Sequence, residues 1–329
     1  MERKATAIIL TLVIGVGALT IAGFIVNTNR ADVRIGYLSQ DLHQLALKVA
    51  IEKGWFDEAN LTVDLVEYGN GAEEMRGFQA DQIDMGYLGI APALTLGINS
   101  EIPVTVLSAV NYEGSALMVK KDLYDDGIIT SVSDLVGKTI YQPGPSTVQN
   151  FLLRLALNQS GLSITDVNAE LKRPQDMAIS LSDDAPAFIA WEPFPARAQA
   201  DGLAVPLLLS SQIWPHHPCC VLAAANEFIN TSPVIVQKVA QIHVRAEEWI
   251  VNHPNESIQI ATDWLGMNES TVETAFNRII YDPVLNRTGI EMYLRFLIEQ
   301  ELVDMQISDM GPFLDTFLDE SFTIATCSC

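Results

Sequence analysis

Hydrophobic and polar positions alternate in short segments along the first third of the chain, and helical patterns separate these segments. Val33–Leu38 and Leu61–Glu67 alternate with a period of two, which is typical of strands, and Ile83–Tyr87 and Val104–Val110 are further apolar strand segments. Over Leu45–Ile51 the apolar residues recur at helical spacing instead. Strands that alternate with helices predict an α/β fold with a mainly parallel sheet covered by helices.

A second block of the same kind begins at Ser115, and a helical tail follows it. Its predicted strands are Ser115–Lys120, Thr139–Tyr141, Ala169–Lys172, Phe188-Ile189 and Ala204–Leu209. A last clear strand covers Cys219–Ala225, and from Pro233 onward the pattern is helical. We therefore predict two lobes, each built on a mainly parallel sheet. Residues 31–113 and 219–329 form lobe 1, residues 114–218 form lobe 2, and the chain crosses near Asn111–Ser115 and Ser210–Pro218.

The composition excludes several classes of function. The chain has 329 residues, 49% of them apolar, which is enough for two ordinary lobes and excludes disorder. Its formal net charge is -22. Nucleic-acid binding draws its affinity from a basic surface, and anionic lipid headgroups attract basic segments, so the charge argues against both partners.

The N-terminus predicts a membrane anchor. Arg3 and Lys4 precede an uncharged run over residues 5–26, which as a helix would measure about 33 Å and could cross a bilayer. The run is longer than the apolar part of a simple signal peptide, and the positive flank predicts that the body lies outside the cell. We expect residues 1–30 to be an anchor or signal segment and the body to lie on the extracytoplasmic face of the membrane.

Two aromatic-proline corners lie about 20 residues apart and predict two walls of one cleft. Trp191-Glu192-Pro193 ends one apolar run, and Trp214-Pro215-His216-His217-Pro218 ends another. Proline fixes φ and lacks a donor, so each corner places side chains at the tip of a strand. The alternative is that both tryptophans belong to the core and that the prolines only end strands.

We find no catalytic motif. The remaining polar residues that could form a binding site lie where strands join helices. The joins are Ser39-Gln40, Gly69-Asn70-Gly71, Leu88-Gly89-Ile90 and Gly144-Pro145-Ser146-Thr147. Ligands of open α/β sheets bind at such joins, and helix N-termini hold anions through free N–H donors without any lysine. An acidic protein can therefore bind a small oxyanion there, although each join taken alone could be an ordinary cap.

The cysteines and histidines near residue 217 do not predict a metal site or a cofactor. Side chains of neighbouring residues in an extended segment point to opposite faces, so His216, His217, Cys219 and Cys220 should not converge on one ion. A vicinal disulfide or two buried thiols remain open for Cys219 and Cys220. Cys327 and Cys329 complete the set of four cysteines.

Several short sequence segments are similar to those of a known protein family. They are Gly54-Trp55-Phe56, Gly69-Asn70-Gly71-Ala72-Glu73-Glu74-Met75, Asp81-Gln82-Ile83-Asp84-Met85-Gly86-Tyr87, Glu113-Gly114-Ser115-Ala116, Phe188-Ile189-Ala190-Trp191-Glu192-Pro193 and His217-Pro218-Cys219-Cys220-Val221. From about Val33 to Arg278 the chain resembles the substrate-binding proteins of ABC importers of the nitrate, sulfonate, taurine and bicarbonate type. One departure is Ser180–Pro186, which replaces a phrase the family usually repeats before a strand of the second lobe.

The resemblance implies a type II periplasmic-binding-protein fold that captures a small anion between two lobes by hinge closure. It also implies a monomer without enzymatic activity that delivers its ligand to a permease and an ATPase. The cleft residues that we carry over are Ser39, Gln40, His43, Asn70, Gly89, Ser146, Thr147, Trp191, Glu192 and His217. Glu192 is acidic, so it should accept from a ligand amine or pair with Arg197.

Two other functions stay open at this point. A binding protein for a thiamine-pyrimidine precursor would stack a flat ring on Trp191 and Trp214. An enzyme similar to the fungal thiamine-pyrimidine synthase, which uses a histidine, iron and a cysteine-rich run, is matched only partly by His43 and Cys219-Cys220, and fold likeness alone does not carry function.

Overall fold

Two mixed β-sheets organise the protein in the computed structural model, which describes residues 31–324. The predicted anchor over residues 5–26, Cys327 and Cys329 lie outside the described residues. Within residues 31–324 no helix combines the length and apolar character needed to cross a membrane.

The strands follow the predicted alternation closely. They are β1 Val33–Leu38, β2 Val63–Tyr68, β3 Met85–Gly89, β4 Val104–Glu113, β5 Ser115–Lys120, β6 Thr139–Gln142, β7 Asn168–Leu171, β8 Ala187–Trp191, β9 Ala204–Leu209, β10 Pro218–Ala225 and β11 Ile279–Ile280. The first sheet has the order β11-β4-β10-β3-β1-β2, and the second has the order β7-β6-β8-β5-β9.

Helices pack on both sheets and form the C-terminal part of the described chain. They are α1 Leu45–Glu52, α2 Trp55–Glu58, α3 Gly71–Gln79, α4 Ile90–Asn99, α5 Lys121–Asp125, α6 Val148–Gln159, α7 Pro174–Met177, α8 Phe194–Ala200, α9 Ser210–Ile213, α10 Asn226–Thr231, α11 Pro233–Asn252, α12 Pro254–Leu265, α13 Glu269–Phe276, α14 Arg287–Glu299 and α15 Met310–Phe317. The long helix α11 packs against α1 and β4, so the tail adds to the core of the first sheet.

The expectation of mainly parallel sheets is corrected, because both sheets are mixed. Strands β3, β1 and β2 pair in parallel, as do β7, β6 and β8, whereas β4, β5, β9, β10 and β11 pair antiparallel to their neighbours. Parallel pairing requires a helical crossover between strands. The strands β4, β5 and β10 instead carry the chain from one sheet to the other, so they join their neighbours in the opposite direction.

Gly114 is the single residue between β4 and β5, where the chain passes from the first sheet to the second. Its φ of +82° lies in the left-handed region, which favours glycine. A Cβ atom at this position would lie 2.2 Å from His43 Nε2 and 2.8 Å from Ile279 Cγ1. Both the backbone conformation and the packing therefore require glycine here.

A buried histidine and a buried glutamate lie one turn apart on α11 beneath the first sheet. His243 Nε2 donates to the Ala109 carbonyl at 2.7 Å, and its Nδ1 lies 3.9 Å from Glu247 Oε1. Burial lowers the pKa of His243 to about 4. Burial, and secondarily the charge of Asp282, raises the pKa of Glu247 well above its ordinary value. His243 is therefore neutral near neutral pH, and burial favours the protonated, neutral form of Glu247.

We expect Gly114→Ala to lower the free energy of unfolding by about 2–5 kcal/mol, because it adds left-handed strain and an overpacked methyl group. Gly127→Ala is the matched control, since Gly127 has a φ of +72° but a Cβ atom there would meet no other part of the chain within 4 Å. Urea unfolding should show a loss of only about 1 kcal/mol for the control. Equal losses for both variants would contradict the role given to the His43 contact.

Glu247→Gln should stabilise the protein progressively as the pH rises above 4.5. The folded state holds Glu247 protonated while the unfolded state releases the proton, so the wild type loses up to about 1.4 kcal/mol per pH unit until the raised folded pKa is reached. Glutamine does not titrate, and below pH 4.5 the two proteins should be equally stable. Urea unfolding at pH 5 and pH 7.5 checks this, with exposed Glu248→Gln as the control; a pH-independent difference would contradict it.

Candidate functional site

A small buried cavity lies where β1, β3, β8 and β10 meet the starts of three helices. Its volume is about 20 Å³, which is close to the space of one water molecule. Four of the predicted site residues line it, namely His43, Gly89, Thr147 and Trp191. The other lining residues are Leu38, Asp41, Gly71, Pro92, Val148, Gln149, Cys219 and Cys220.

Three helix N-termini converge on this cavity. Gly71 is the first residue of α3, Gly89 directly precedes α4, and Thr147 directly precedes α6. All three helices have at least nine residues, so each contributes free N–H donors and a partial positive charge at its start. The predicted convergence of strand-to-helix joins is therefore present at these three positions.

Thr147 and Gln149 hold the start of α6 in place. Thr147 Oγ1 accepts from the Asn150 N–H at 3.2 Å and donates to the Gly144 carbonyl at 2.7 Å. Gln149 Nε2 donates to Ser115 Oγ at 3.0 Å. These bonds tie the helix to the start of β5 and fix the donors that face the cavity.

Trp191 contributes a buried donor whose hydrogen bond is not made within the described residues. The side chain is 4% exposed and lines the cavity, and its indole Nε1 has no acceptor among residues 31–324. A buried N–H without an acceptor costs about 1–3 kcal/mol. Such a group is therefore typical of a site that binds a hydrogen-bond acceptor.

Glu192 does not line the cavity, and of its two predicted roles the pairing with Arg197 is wrong. Glu192 is fully buried, with Oε1 accepting from Arg278 Nη1 at 2.8 Å and Oε2 accepting from the Ala196 N–H at 3.0 Å. Burial raises the pKa of Glu192, and the charge of Arg278 opposes that rise. Arg197 lies 3.7 Å from Asp201 instead, because α8 turns it outward. Glu192 therefore holds α8 and the segment around Arg278 together.

The remaining predicted residues lie around the cavity without lining it. Ser39 and Gln40 form the turn after β1, where Gln40 is exposed, and Asn70 is the cap of α3, accepting from the Glu73 N–H at 3.0 Å. Ser146 is half-buried. His217 is fully buried, with Nδ1 3.0 Å from its neighbour's carbonyl and no partner for Nε2 within the described chain.

His43 is held at the base of the cavity by the chain crossing. It lies in a short 3-10 helix over Leu42–Gln44, and Asp41 caps this helix by accepting from the His43 N–H at 3.0 Å. Nε2 lies 2.8 Å from the Gly114 carbonyl oxygen, which can only accept, so this ring nitrogen carries the proton. His43 Nδ1 therefore faces the opposite side of the ring.

Both cysteines of β10 face His43, so the expectation that neighbouring side chains diverge is wrong at this point. Cys219 Sγ and Cys220 Sγ lie 3.7 Å and 3.6 Å from His43 Nδ1 and 3.9 Å from each other as free thiols. Pro218 pairs with Tyr112 and Cys220 with Asn111, so three residues of β10 face two of β4. This bulge breaks the alternation of side chains that a regular strand imposes.

The cluster is strongly polarised. Burial opposes ionisation, but a hydrogen bond with Cys220 and the charge of His43 bring the pKa of Cys219 well below its ordinary value. Burial likewise opposes protonation of His43, yet the charges of Cys219 and Asp41 raise its pKa to about 9. Burial raises the pKa of Asp41 to about 6. The Cys219 thiol and the His43 imidazole therefore each favour the charged form of the other.

Sequence reasoning missed several residues that shape the site. Gln149 and Asp41 lie close to predicted site residues in the sequence. Gln149 is in the first turn of α6 and Asp41 caps a short helix, so a search of helix starts and caps could have identified both. Arg278 is 86 residues from its partner Glu192, and no sequence pattern indicated that contact.

The comparisons with known proteins agree with this architecture. A protein of Brucella abortus (strain 2308) that is named as a binding protein is 25% identical over 261 residues, which are 78% of this chain and 79% of that protein. The taurine-binding periplasmic protein of Escherichia coli (strain K12) is 27% identical over 203 residues, 60% of either chain. Both relatives are named for binding and not for catalysis.

A solved structure with the same fold is the periplasmic nitrate-binding protein NrtA from Synechocystis PCC 6803. It has a TM-score of 0.76 and 14% sequence identity, and the match covers 88% of this chain and 86% of that chain. The two-lobed periplasmic-binding-protein fold implied by the resemblance is thereby confirmed. The family model of the NMT1-like family matches residues 27–266, which is well over half of the sequence. The chain belongs to the NMT1-like family.

Proposed function

We propose that this chain is the solute-binding component of an ABC importer and that it captures a small oxyanion or organosulfonate. The observation that carries the proposal is the convergence of the N-termini of α3, α4 and α6 on one cavity, together with the buried Trp191 N–H. Acceptor oxygens of an anion would satisfy these donors. The similarity to taurine-binding and nitrate-binding proteins supports the same class of ligand.

The acidic charge of the chain is compatible with an anion ligand. No Lys or Arg lines the cavity within the described residues, so the donors would be neutral groups at short range, supported by His43. Glu192, which follows β8, is paired with Arg278 and does not line the cavity, so Asp41 is the one carboxyl group among the described lining residues. Anion binding here would depend on fixed dipoles and not on the net charge of -22.

Binding would require the two lobes to separate and close again. The cavity of about 20 Å³ is too small for a sulfonate or nitrate, so its walls must move apart for entry. Two segments join the sheets, Gly114 and the stretch from Trp214 to His217, and we propose that they form a hinge between residues 31–113 with 219–329 and residues 114–218. The closed form would dock as a monomer on a permease that an ATPase drives. It would do so at the extracytoplasmic face, where residues 5–26 anchor it.

The full-length chain should be stabilised by its ligand and not by unrelated salts. A thermal-shift screen of nitrate, bicarbonate, taurine and alkanesulfonates, at constant ionic strength with chloride as the reference, tests this. A ligand at 100 times its Kd stabilises the folded state by about 2.7 kcal/mol. No shift for any of these anions would contradict the proposed ligand class while leaving the fold unaffected.

Trp191→Phe should weaken anion binding by about 10-fold to 100-fold, because it removes a donor to a charged acceptor and keeps an aromatic ring. The control is Trp264→Phe, which lies at a separate pocket beside Tyr37. Isothermal titration of the best ligand from the screen measures the affinities. A flat heterocyclic ligand that stacks on Trp191 would give the opposite pattern, with binding kept in Trp191→Phe and lost in Trp191→Ala.

A further inference from the structure

Helix α14 joins parts of the molecule that pack on different sheets. It packs against α4 and α15, which lie on the first sheet, and its side chains also reach α6, which lies on the second sheet next to β8. The first residue of α6, Val148, lines the cavity. We propose that α14 is a clamp that holds the cavity closed and that Tyr293 is a positioning residue for the start of α6.

Tyr293 makes two contacts with the start of α6. Its hydroxyl donates to the Val148 carbonyl at 3.3 Å, and its ring stacks on that of Phe151 with the ring centroids 3.7 Å apart. Tyr293 is fully buried, and burial raises the pKa of its hydroxyl well above the usual value, so the group remains a neutral donor. Val148 and the following residue Gln149 both line the cavity. Tyr293 therefore fixes a helix start that a ligand would contact.

Phe151 is the centre of an aromatic cluster that spans the two sheets. Phe296, one turn after Tyr293 on α14, approaches the Phe151 ring edge to face at 4.5 Å, and Trp214 lies 5.5 Å from Phe151 and 5.9 Å from Tyr293. Stacked and edge-to-face rings attract each other beyond the effect of burial alone. If the sheets separate, α6 moves with the second and α14 stays with the first. Opening of the cavity would therefore break these ring contacts.

The contacts with α14 come from one face of α6. Val148, Phe151 and Arg154 follow one another at intervals of three, so they lie along one side of the helix. Just beyond the end of α14, Gln300 Oε1 accepts from Arg154 Nη1 at 3.3 Å. The clamp therefore covers about two turns of α6, from the cavity outward.

The position of Val148 decides how far the cavity is open. A Cβ atom at Gly89, which directly precedes α4, would lie 3.2 Å from Val148 Cγ2. The starts of α4 and α6 thus meet at the cavity, one from each sheet. The start of α14 is fixed to the return crossing, because a Cβ atom at Gly289 would lie 2.9 Å from the Pro218 ring. A shift of α6 away from α14 would widen the gap between Gly89 and Val148.

The ion pair of Arg278 and Glu192 is a second contact between the two sets of elements. Glu192 follows β8 of the second sheet, and Arg278 directly precedes β11 of the first sheet. Removal of either partner would leave a buried charge unpaired, which strongly destabilises a fold. The Tyr293 contact joins neutral groups instead, so a substitution there can change closure without that cost.

A clamp outside the cavity would still set the affinity for a ligand. When only a fraction of the molecules is in the binding-competent form, the apparent affinity falls with that fraction. Contacts that α14 makes only in the closed form would therefore strengthen ligand capture without touching the ligand. This consequence rests on the proposed function, whereas closure by α14 does not.

Alkylation of Cys219 and Cys220 measures opening without any ligand. Both thiols are buried in the lining of a cavity of about 20 Å³, so iodoacetamide reaches them only when the cavity opens. Tyr293→Phe keeps the ring and removes one hydrogen bond, which should accelerate labelling about 3-fold to 10-fold. Peptide mass spectrometry on the full-length chain follows both cysteines. Labelling at the wild-type rate would overturn the proposal.

Tyr141→Phe is the matched control for the loss of the hydroxyl. The Tyr141 hydroxyl donates to the Ser180 carbonyl at 3.3 Å, the same distance as in the Tyr293 bond, and both residues belong to the part of the chain that forms the second sheet. This variant should label at the wild-type rate. Equal acceleration in both variants would indicate a general loss of stability and would overturn the clamp.

Charge changes at Gln300 test the clamp in both directions. Gln300→Glu should slow the labelling and Gln300→Lys should accelerate it, each about 1.5-fold to 5-fold, because a carboxylate attracts the Arg154 guanidinium and an ammonium group repels it. High salt should reduce both effects. Gln306→Glu, an exposed position with the same charge change, should label as the wild type does. Shifts in the same direction for both Gln300 variants would overturn the role of this contact.

Isothermal titration with taurine, nitrate and methanesulfonate separates the clamp from the proposed function. Binding of any of the three should weaken about 3-fold to 10-fold in Tyr293→Phe and stay unchanged in Tyr141→Phe. Unchanged affinity in Tyr293→Phe would overturn the link between the clamp and ligand capture. Faster labelling of Tyr293→Phe without binding of any of these anions would contradict the anion function while the clamp stands.

Discussion

The contact between the His43 ring and the Gly114 carbonyl is the constraint on which the site depends. It joins the first turn of the chain after β1 to the single residue that links the two sheets, at 2.8 Å and fully buried. Because no Cβ fits at position 114, the crossing can pass directly over the imidazole. The ring is thereby oriented toward β10, the strand that brings the chain back. This hydrogen bond therefore helps to position, beside the cavity, both segments in which the chain passes from one sheet to the other.

Around this fixed point the protein combines an acidic sequence with a cavity whose lining includes several neutral hydrogen-bond donors. The starts of α3, α4 and α6, Trp191 and Gln149 line the cavity, while Glu192 is paired with Arg278 and is not part of the lining. Short-range dipoles are little affected by a distant net charge, since solvent screens the latter beyond about one Debye length. A strongly acidic chain is therefore compatible with recognition of an anion.

Two chemically different groups of residues line the cavity. The starts of α3, α4 and α6 suit acceptor oxygens, whereas His43, Cys219 and Cys220 add a buried imidazole and two thiols to the same lining. The cavity is therefore not lined by helix starts alone, because the free thiols of β10 are part of its lining.

The sequence by itself determined the features that depend on local periodicity. The strands, the strand-to-helix joins at Asn70–Gly71, Gly89 and Thr147, and the aromatic corner at Trp191 follow from spacing and from proline and glycine. Only the tertiary structure decided that Glu192 pairs with Arg278, that the sheets are mixed, and that His43 meets Cys219 and Cys220. These features join residues that are far apart along the chain, or depend on a bulge that breaks the strand period, and neither leaves a pattern in neighbouring residues.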